Sequence, residues 1–321
     1  MNIFKKSENR PGRAVTAEAL FMVGAPTTTP DLFDIEAVWP RPWRFLVTLS
    51  FSLALYGMFY AGWHLFNAPN MIPGVIFTGS FAVPVAALVL FFELNIRRNV
   101  SLYRVVTLVL GGGVLSLLLV LGLLNFEEKV FAFLGVSGDW YDSVRAPVEE
   151  IAKLAIAVLL AQKASYRFIL NGLLIGAAVG AGFSAFESAG YALTSCLCEV
   201  ATGGRTLQAL QDAMMAAEHN LVVRGLFSPL SHIAWTALAC AGLWWARKGG
   251  KLSILTFVNW RFAIGFIGAA VLHSLWNSPC EIPYYGKYLL LGAVAWVAIG
   301  CVVNAGVREI QNEQDKILKK I

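Results

Sequence analysis

Four short motifs in this chain place ionisable or hydrogen-bonding side chains within apolar surroundings: Pro147-Val148-Glu149-Glu150-Ile151-Ala152-Lys153, Phe183-Ser184-Ala185-Phe186-Glu187, His232-Ile233-Ala234-Trp235-Thr236 and His273-Ser274-Leu275-Trp276-Asn277. Carboxylate and neutral imidazole are ordinary ligands for zinc, and catalytic zinc sites commonly use three protein ligands with a further position open. Glu187, His232 and His273 supply such a set from three segments. Glu149 or Glu150 then has the place of general base toward a water held by zinc or by imidazole. Successive helix residues point about 100° apart, so the two glutamates do not face one centre together. Lys153 lies four residues from one and three from the other, and can pair with whichever faces it. Asn277 and Thr236 each stand four residues beyond a histidine on its own helical face, where they can donate to a developing oxyanion.

Composition sets the elements that must position these residues. Of 321 residues, 57% are hydrophobic and 14% charged, against about 25% charged in a soluble domain. No Lys, Arg, Asp or Glu occurs from Phe45 to Phe92. These figures exclude a soluble enzyme, a disordered chain and a disulfide-framed secreted protein. About 20 apolar residues cross a bilayer core as a helix, and only helices or closed barrels satisfy the backbone there. The apolar runs are continuous rather than alternating, which selects helices. The expected fold is all-α: a polytopic transmembrane helix bundle of about eight spans, near 45–66, 72–94, 103–124, 148–165, 169–192, 226–246, 256–277 and 285–304. Residues 1–44 and 306–321 read as cytoplasmic tails around a membrane-embedded domain at 45–305.

The net charge of +5 is a matter of position, and does not argue for nucleic acid. Eighteen of the 25 Lys and Arg fall in the two tails and in loops two, four and six, and five fall in the alternate loops. Basic residues concentrate on the cytoplasmic side, so both termini are expected there. The first and third motifs then open outside-to-inside spans, and the second and fourth close inside-to-outside ones. All four lie in the outer half of the bilayer. Intramembrane ionisable groups are functional candidates by default, and their common depth makes them one site.

Other features take structural readings. Gly172, Gly176, Gly180, Ser184 and Ser188 recur every four residues, a small-residue stripe that lets another helix approach closely. Leu207, Leu210, Met214, Ala217 and Leu221 form an amphipathic face suited to a helix on the outer membrane surface. Trp235 and Trp276 read as interface aromatics. Gly111-Gly112-Gly113 follows no strand, so it is not a phosphate loop. Cys240 and Cys301 read as packing residues, while Cys280 can pair with Cys196 or Cys198 in an oxidising compartment.

The set E-E-x-x-K, F-x-x-x-E, H-x-x-x-T and H-x-x-W-N, in this order on successive helices, resembles the PrsW family of intramembrane proteases. Arg224-Gly225-Leu226-Phe227-Ser228-Pro229-Leu230-Ser231-His232 adds to the likeness. In the wider superfamily, with the CAAX prenyl proteases and bacteriocin-immunity proteins, the first motif ends in Arg and the second in His. Lys153 and Glu187 at those places favour the PrsW branch. The resemblance implies a protease-like domain in a bacterial inner membrane that clips a membrane-anchored protein substrate near the extracytoplasmic face, an anti-sigma factor being the family's best-known example. It implies Glu149 or Glu150 as water activator, Glu187, His232 and His273 as zinc ligands or peptide polarisers, and Asn277 at the oxyanion. No H-E-x-x-H helix is present. Gly182-Phe183-Ser184-Ala185 only approximates the rhomboid serine motif, and that reading leaves the three glutamates without a role. The alternative is a non-catalytic scaffold, or an ion or solute transporter, that uses the same polar cluster.

Overall fold

The computed structural model describes residues 43–96, 99–135, 138, 141–161, 166–203 and 206–319. Most of the expected N-terminal tail lies outside the described residues, as do Arg97, Arg98, Lys163, Arg205 and Lys320 of the charge pattern. Every regular element among the described residues is helical. In chain order, α1 is Trp43–Phe66, α2 Ile72–Leu94, α3 Leu102–Thr107, α4 Gly113–Leu134, α5 Tyr141–Ala161 and α6 Ile169–Gly203. Then follow α7 Leu207–Phe227, α8 His232–Arg247, α9 Ile254–Phe257, α10 Trp260–Trp276 and α11 Gly286–Leu318.

Among the described residues, six stretches are long and apolar enough to cross a membrane: Trp43–Phe66, Pro69–Leu94, Leu102–Phe133, Ile169–Cys198, Gln208–Arg247 and Gly286–Glu313. The two further expected spans are helices that miss this measure for different reasons. Asp142, Arg145, Glu149, Glu150 and Lys153 dilute the apolar character of α5, and α10 has only 17 residues. Both carry site motifs.

Helix α6 is the axis of the bundle. Its apolar stretch is 94% buried, whereas α1 has a single buried residue, Trp63. The small-residue stripe explains the difference, because it admits backbones rather than side chains. A Cβ added at Gly176 would stand 2.3 Å from the Thr236 carbonyl oxygen, and one at Gly180 would stand 2.5 Å from that of His232. Gly172 meets Trp244 and the Cys240 carbonyl in the same way. Helices α6 and α8 therefore touch main chain to main chain over three turns. A Gly176→Ala substitution is expected to force them apart and lower the thermal midpoint, since overpacking commonly costs about 1–3 kcal/mol. Gly190→Ala, on the same helix with nothing within 4 Å of its added carbon, should leave the midpoint in place. Equal midpoints for the two variants would refute this account of the stripe.

On another side of α6, residues Leu108–Gly112 form a π turn between α3 and α4. A Cβ on Gly182 would lie 1.9 Å from the Val109 carbonyl oxygen, and one on Gly113 would lie 2.5 Å from the Gly182 carbonyl carbon. Gly112 and Gly113 of the triplet thus serve close packing, while an added carbon on Gly111 would meet nothing within 4 Å. A π turn widens the helix locally, and this one brings its backbone onto α6.

Helix α7 differs from its expected setting. Thr206 caps it by accepting from the Ala209 N–H at 3.1 Å. Its face through Ala213, Met214, Ala217 and Leu221 is buried against Trp63, Val75, Ile76, Ala192 and Cys196. The amphipathic pattern is satisfied by protein rather than by lipid headgroups. No disulfide joins any of the five cysteines, so the expected pairing of Cys280 with Cys196 or Cys198 is not formed. The last helix runs unbroken past residue 305 to Leu318. It is tied to the start of α6 by Glu309, which accepts from the Ile169 N–H at 2.8 Å, and by the Arg167–Glu313 pair at 3.0 Å.

Candidate active site

Helix periodicity decides which side chains of α5 reach the centre. Glu150, Lys153, Ala157 and Ala161 follow one another at three- and four-residue spacing and are all fully buried, so this face is turned into the protein. Glu149 points to one side of it, and its side chain keeps 14% of its exposure. The two glutamates therefore have different surroundings.

Glu150 is enclosed. Its Oε1 lies 2.5 Å from Lys153 Nζ and 2.9 Å from His273 Nδ1, and its Oε2 accepts from Thr236 Oγ1 at 3.5 Å. Lys153 is buried too, and an ammonium has three donors and no acceptor. One donor goes to Glu150 and another to His232 Nδ1 at 3.0 Å. The Phe183 ring lies 4.5 Å away, with its face toward the charge.

These contacts settle the histidine tautomers by donor and acceptor matching. Lys153 can only donate, so His232 Nδ1 accepts, and the proton sits on Nε2, 3.1 Å from Glu187 Oε2. Glu150, paired with an ammonium, is an acceptor, so His273 Nδ1 carries the proton. His273 Nε2 is then left as a bare acceptor, and it faces Glu149 Oε2 at 3.7 Å. That oxygen is buried and has no hydrogen-bond partner among the described residues. With a neutral imidazole and an ionised carboxylate, the two facing atoms are both acceptors.

A cation answers that arrangement. Donor atoms of Glu149, His232 and His273 all lie within 4.8 Å of one another, and Glu-His-His is an established zinc donor set. The residues fit a metal ion on chemistry as well as on proximity. An ion that takes His232 through Nε2 replaces the proton now shared with Glu187, as metal binding to imidazole generally requires. Glu187, expected as a ligand, lies beside this group with Oε2 3.1 Å from His232 Nε2, and Glu149 is the third candidate donor by proximity. Glu187 is instead gripped by Arg224 from α7, whose guanidinium also covers the Tyr191 ring at 4.2 Å.

The cluster opens into a cavity of about 540 Å³ lined by Glu149, Glu187, Arg224, His232, His273 and Asn277. Trp276, Tyr285 and Tyr288 form an aromatic side of it. Asn277 ends α10, its N–H donating to the His273 carbonyl at 3.1 Å, and its carboxamide makes no hydrogen bond among the described residues. Thr236 is fully buried and reaches Glu150, not the cavity, so of the two expected oxyanion donors only Asn277 is placed for that task. Trp235 is not an interface aromatic: it is fully buried and stacks on the His273 ring at 4.4 Å. Trp276 packs edge-on against the Trp235 indole at 5.4 Å. Arg224 was counted with the loop charges by its position in the sequence. The signal that could have found it is its place at the head of the Arg224–His232 phrase.

A helical membrane bundle in which carboxylates and two imidazoles converge from separate helices on a polar cavity is a membrane-embedded hydrolase of the metal-using class. The family model described as PrsW family intramembrane metalloprotease matches residues 101–303. The chain belongs to that family and is an intramembrane protease. All four motifs fall inside the matched stretch. A search of curated proteins and a search of solved structures each returned no match.

Proposed function

We propose that this protease cuts a membrane-anchored protein near the extracytoplasmic face of a bacterial inner membrane, an anti-sigma factor being a candidate substrate. In this reading eight helices cross the bilayer, residues 1–44 and 306–321 are cytoplasmic, and 45–305 form the protease domain. The observation that supports it is the convergence of Glu149, His232 and His273 donor atoms within 4.8 Å of one another beside the cavity.

Glu149, His232 and His273 would hold zinc, which when bound would supply Lewis acidity toward the scissile carbonyl and toward water. Glu187 faces the same cavity and takes the proton of the attacking water on a carboxylate oxygen. It then returns that proton to the leaving amine. Arg224 holds Glu187 in place during both transfers. The Asn277 carboxamide donates to the carbonyl oxygen as charge builds on it. Glu150 and Lys153 do not touch substrate. They fix the rotation and protonation of the two histidines, the supporting role that partners of metal-binding imidazoles generally play.

The test is to compare membrane proteins in wild-type and deletion strains, then to present each accumulating single-span protein to the purified enzyme in liposomes. Cleavage on the extracytoplasmic side of that span, with zinc in the purified protein, is the expected result. Ion flux through the liposomes without any cleavage would instead establish the transporter reading.

A further inference from the structure

A second polar cavity lies at the other end of the bundle. From His273, α10 runs back 12 residues to Arg261, about 18 Å at 1.5 Å per residue. From His232, α8 runs on 13 residues to Trp245, about 20 Å by the same rise. Around these far ends is a cavity of about 460 Å³ lined by Trp245, Lys248, Arg261, Asn304, Arg308 and Asn312, among others.

Its charge is unbalanced. Lys248 and Arg308 are exposed and make no ion pair among the described residues. Arg261 is held by aromatic faces, with its guanidinium 5.0 Å from the Trp245 ring and 5.3 Å from the Trp260 ring. Its Nε is buried without a hydrogen-bond partner. The one carboxylate in the lining, Glu309, is already committed to the Ile169 N–H at 2.8 Å, and the neighbouring Glu313 is paired with Arg167. Three cations, one of them with a buried unpaired Nε–H, and two carboxamides thus surround a space whose one lining carboxylate, Glu309, accepts from a backbone N–H, so positive charge is in excess. Stacking fixes the orientation of Arg261, so its planar fork is ready for a bidentate acceptor.

We propose that this cavity binds a phosphate-bearing anion, as a phospholipid headgroup or as free phosphate. The chemistry is common to both sources: a compact oxyanion accepting from Arg261 and Arg308, with Lys248 as a point charge. Basic pockets between membrane helices take anionic headgroups by the same interactions. The inference does not rest on the protease assignment, since none of these residues belongs to the Glu/His centre.

The experiment measures the thermal midpoint of the full-length protein in a neutral detergent, titrated with phosphatidylglycerol, phosphatidylcholine or inorganic phosphate. Phosphatidylglycerol, inorganic phosphate or both should raise the midpoint in a saturable way, and phosphatidylcholine should not match them. The Lys248→Ala/Arg308→Ala variant changes only exposed side chains, and should fold with the same unliganded midpoint. It should bind the stabilising anion roughly thirtyfold more weakly, two surface cations being lost at about the usual contribution of each. A shift with phosphatidylglycerol alone assigns the site to lipid, and a shift that phosphate reproduces assigns it to the soluble anion. Absence of any shift, an equal shift with phosphatidylcholine, or full retention of binding in the double variant overturns the proposal.

Discussion

Purified Glu149→Ala protein is expected to contain no zinc and to show no measurable cleavage while keeping the wild-type fold. The carboxylate lies beside the cavity, and its Oε2 takes no hydrogen bond from the protein. Removing it breaks no hydrogen bond made by that oxygen and leaves the Glu150–Lys153 pair intact. What disappears is one donor of three. A metal ion contributes several kcal/mol to such a reaction, and about 1.4 kcal/mol is a factor of ten, so the loss should be on the order of 10³-fold or more. Glu187→Gln separates the two carboxylates. It should retain zinc, because Glu187 lies outside the donor set, yet lose about 10²–10⁴ in turnover as a missing general base does. Metal analysis beside a cleavage assay checks both. Zinc lost in Glu187→Gln and kept in Glu149→Ala would reverse the roles argued here.

A second large effect is expected at Glu150, and it falls on stability as well as activity. Glu150→Ala leaves Lys153 buried with its nearest counterion gone, and frees His273 Nδ1 from its partner. Breaking a buried ion pair from one side commonly costs about 3–5 kcal/mol, which for a domain of this size corresponds to a midpoint lowered on the order of 10 °C. Replacing both partners, as Glu150→Leu/Lys153→Met, removes the stranded charge and should recover most of that midpoint. Activity should not return with it, because His273 and His232 each lose the contact that sets their protonation. A double variant that regains turnover along with stability would reduce Glu150 to a structural residue.

Much of the site was legible because a bilayer makes every ionisable side chain expensive, so those that remain stand out against apolar neighbours. The charge of the loops supplied an expected common depth. Helix rotation could not be read in this way. Adjacent glutamates satisfy any sequence pattern equally well, and only the packing of α5 against α10 and α6 turns Glu150 inward and Glu149 toward the cavity. The same blindness affected Trp235: an indole near a helix start suits a membrane interface by composition, and its stacking on His273 depends on where α10 passes. Helix α7 was read as lipid-facing because an amphipathic face records that something apolar covers it, not whether that cover is lipid or the side of α2 and α6. The candidate site also obscures one span, since the charges of α5 erase its apolar signature.

Glu187 and His232 are carried by α6 and α8, the two helices that meet backbone to backbone. Neither sits on a loop or lid that can loosen by itself. Their 3.1 Å separation is therefore held by the core, and whatever opens one opens the other. On heating, such a centre has no early, local way to fail. Inactivation and unfolding should be one event on a temperature axis, with no range in which the fold persists around a dead site.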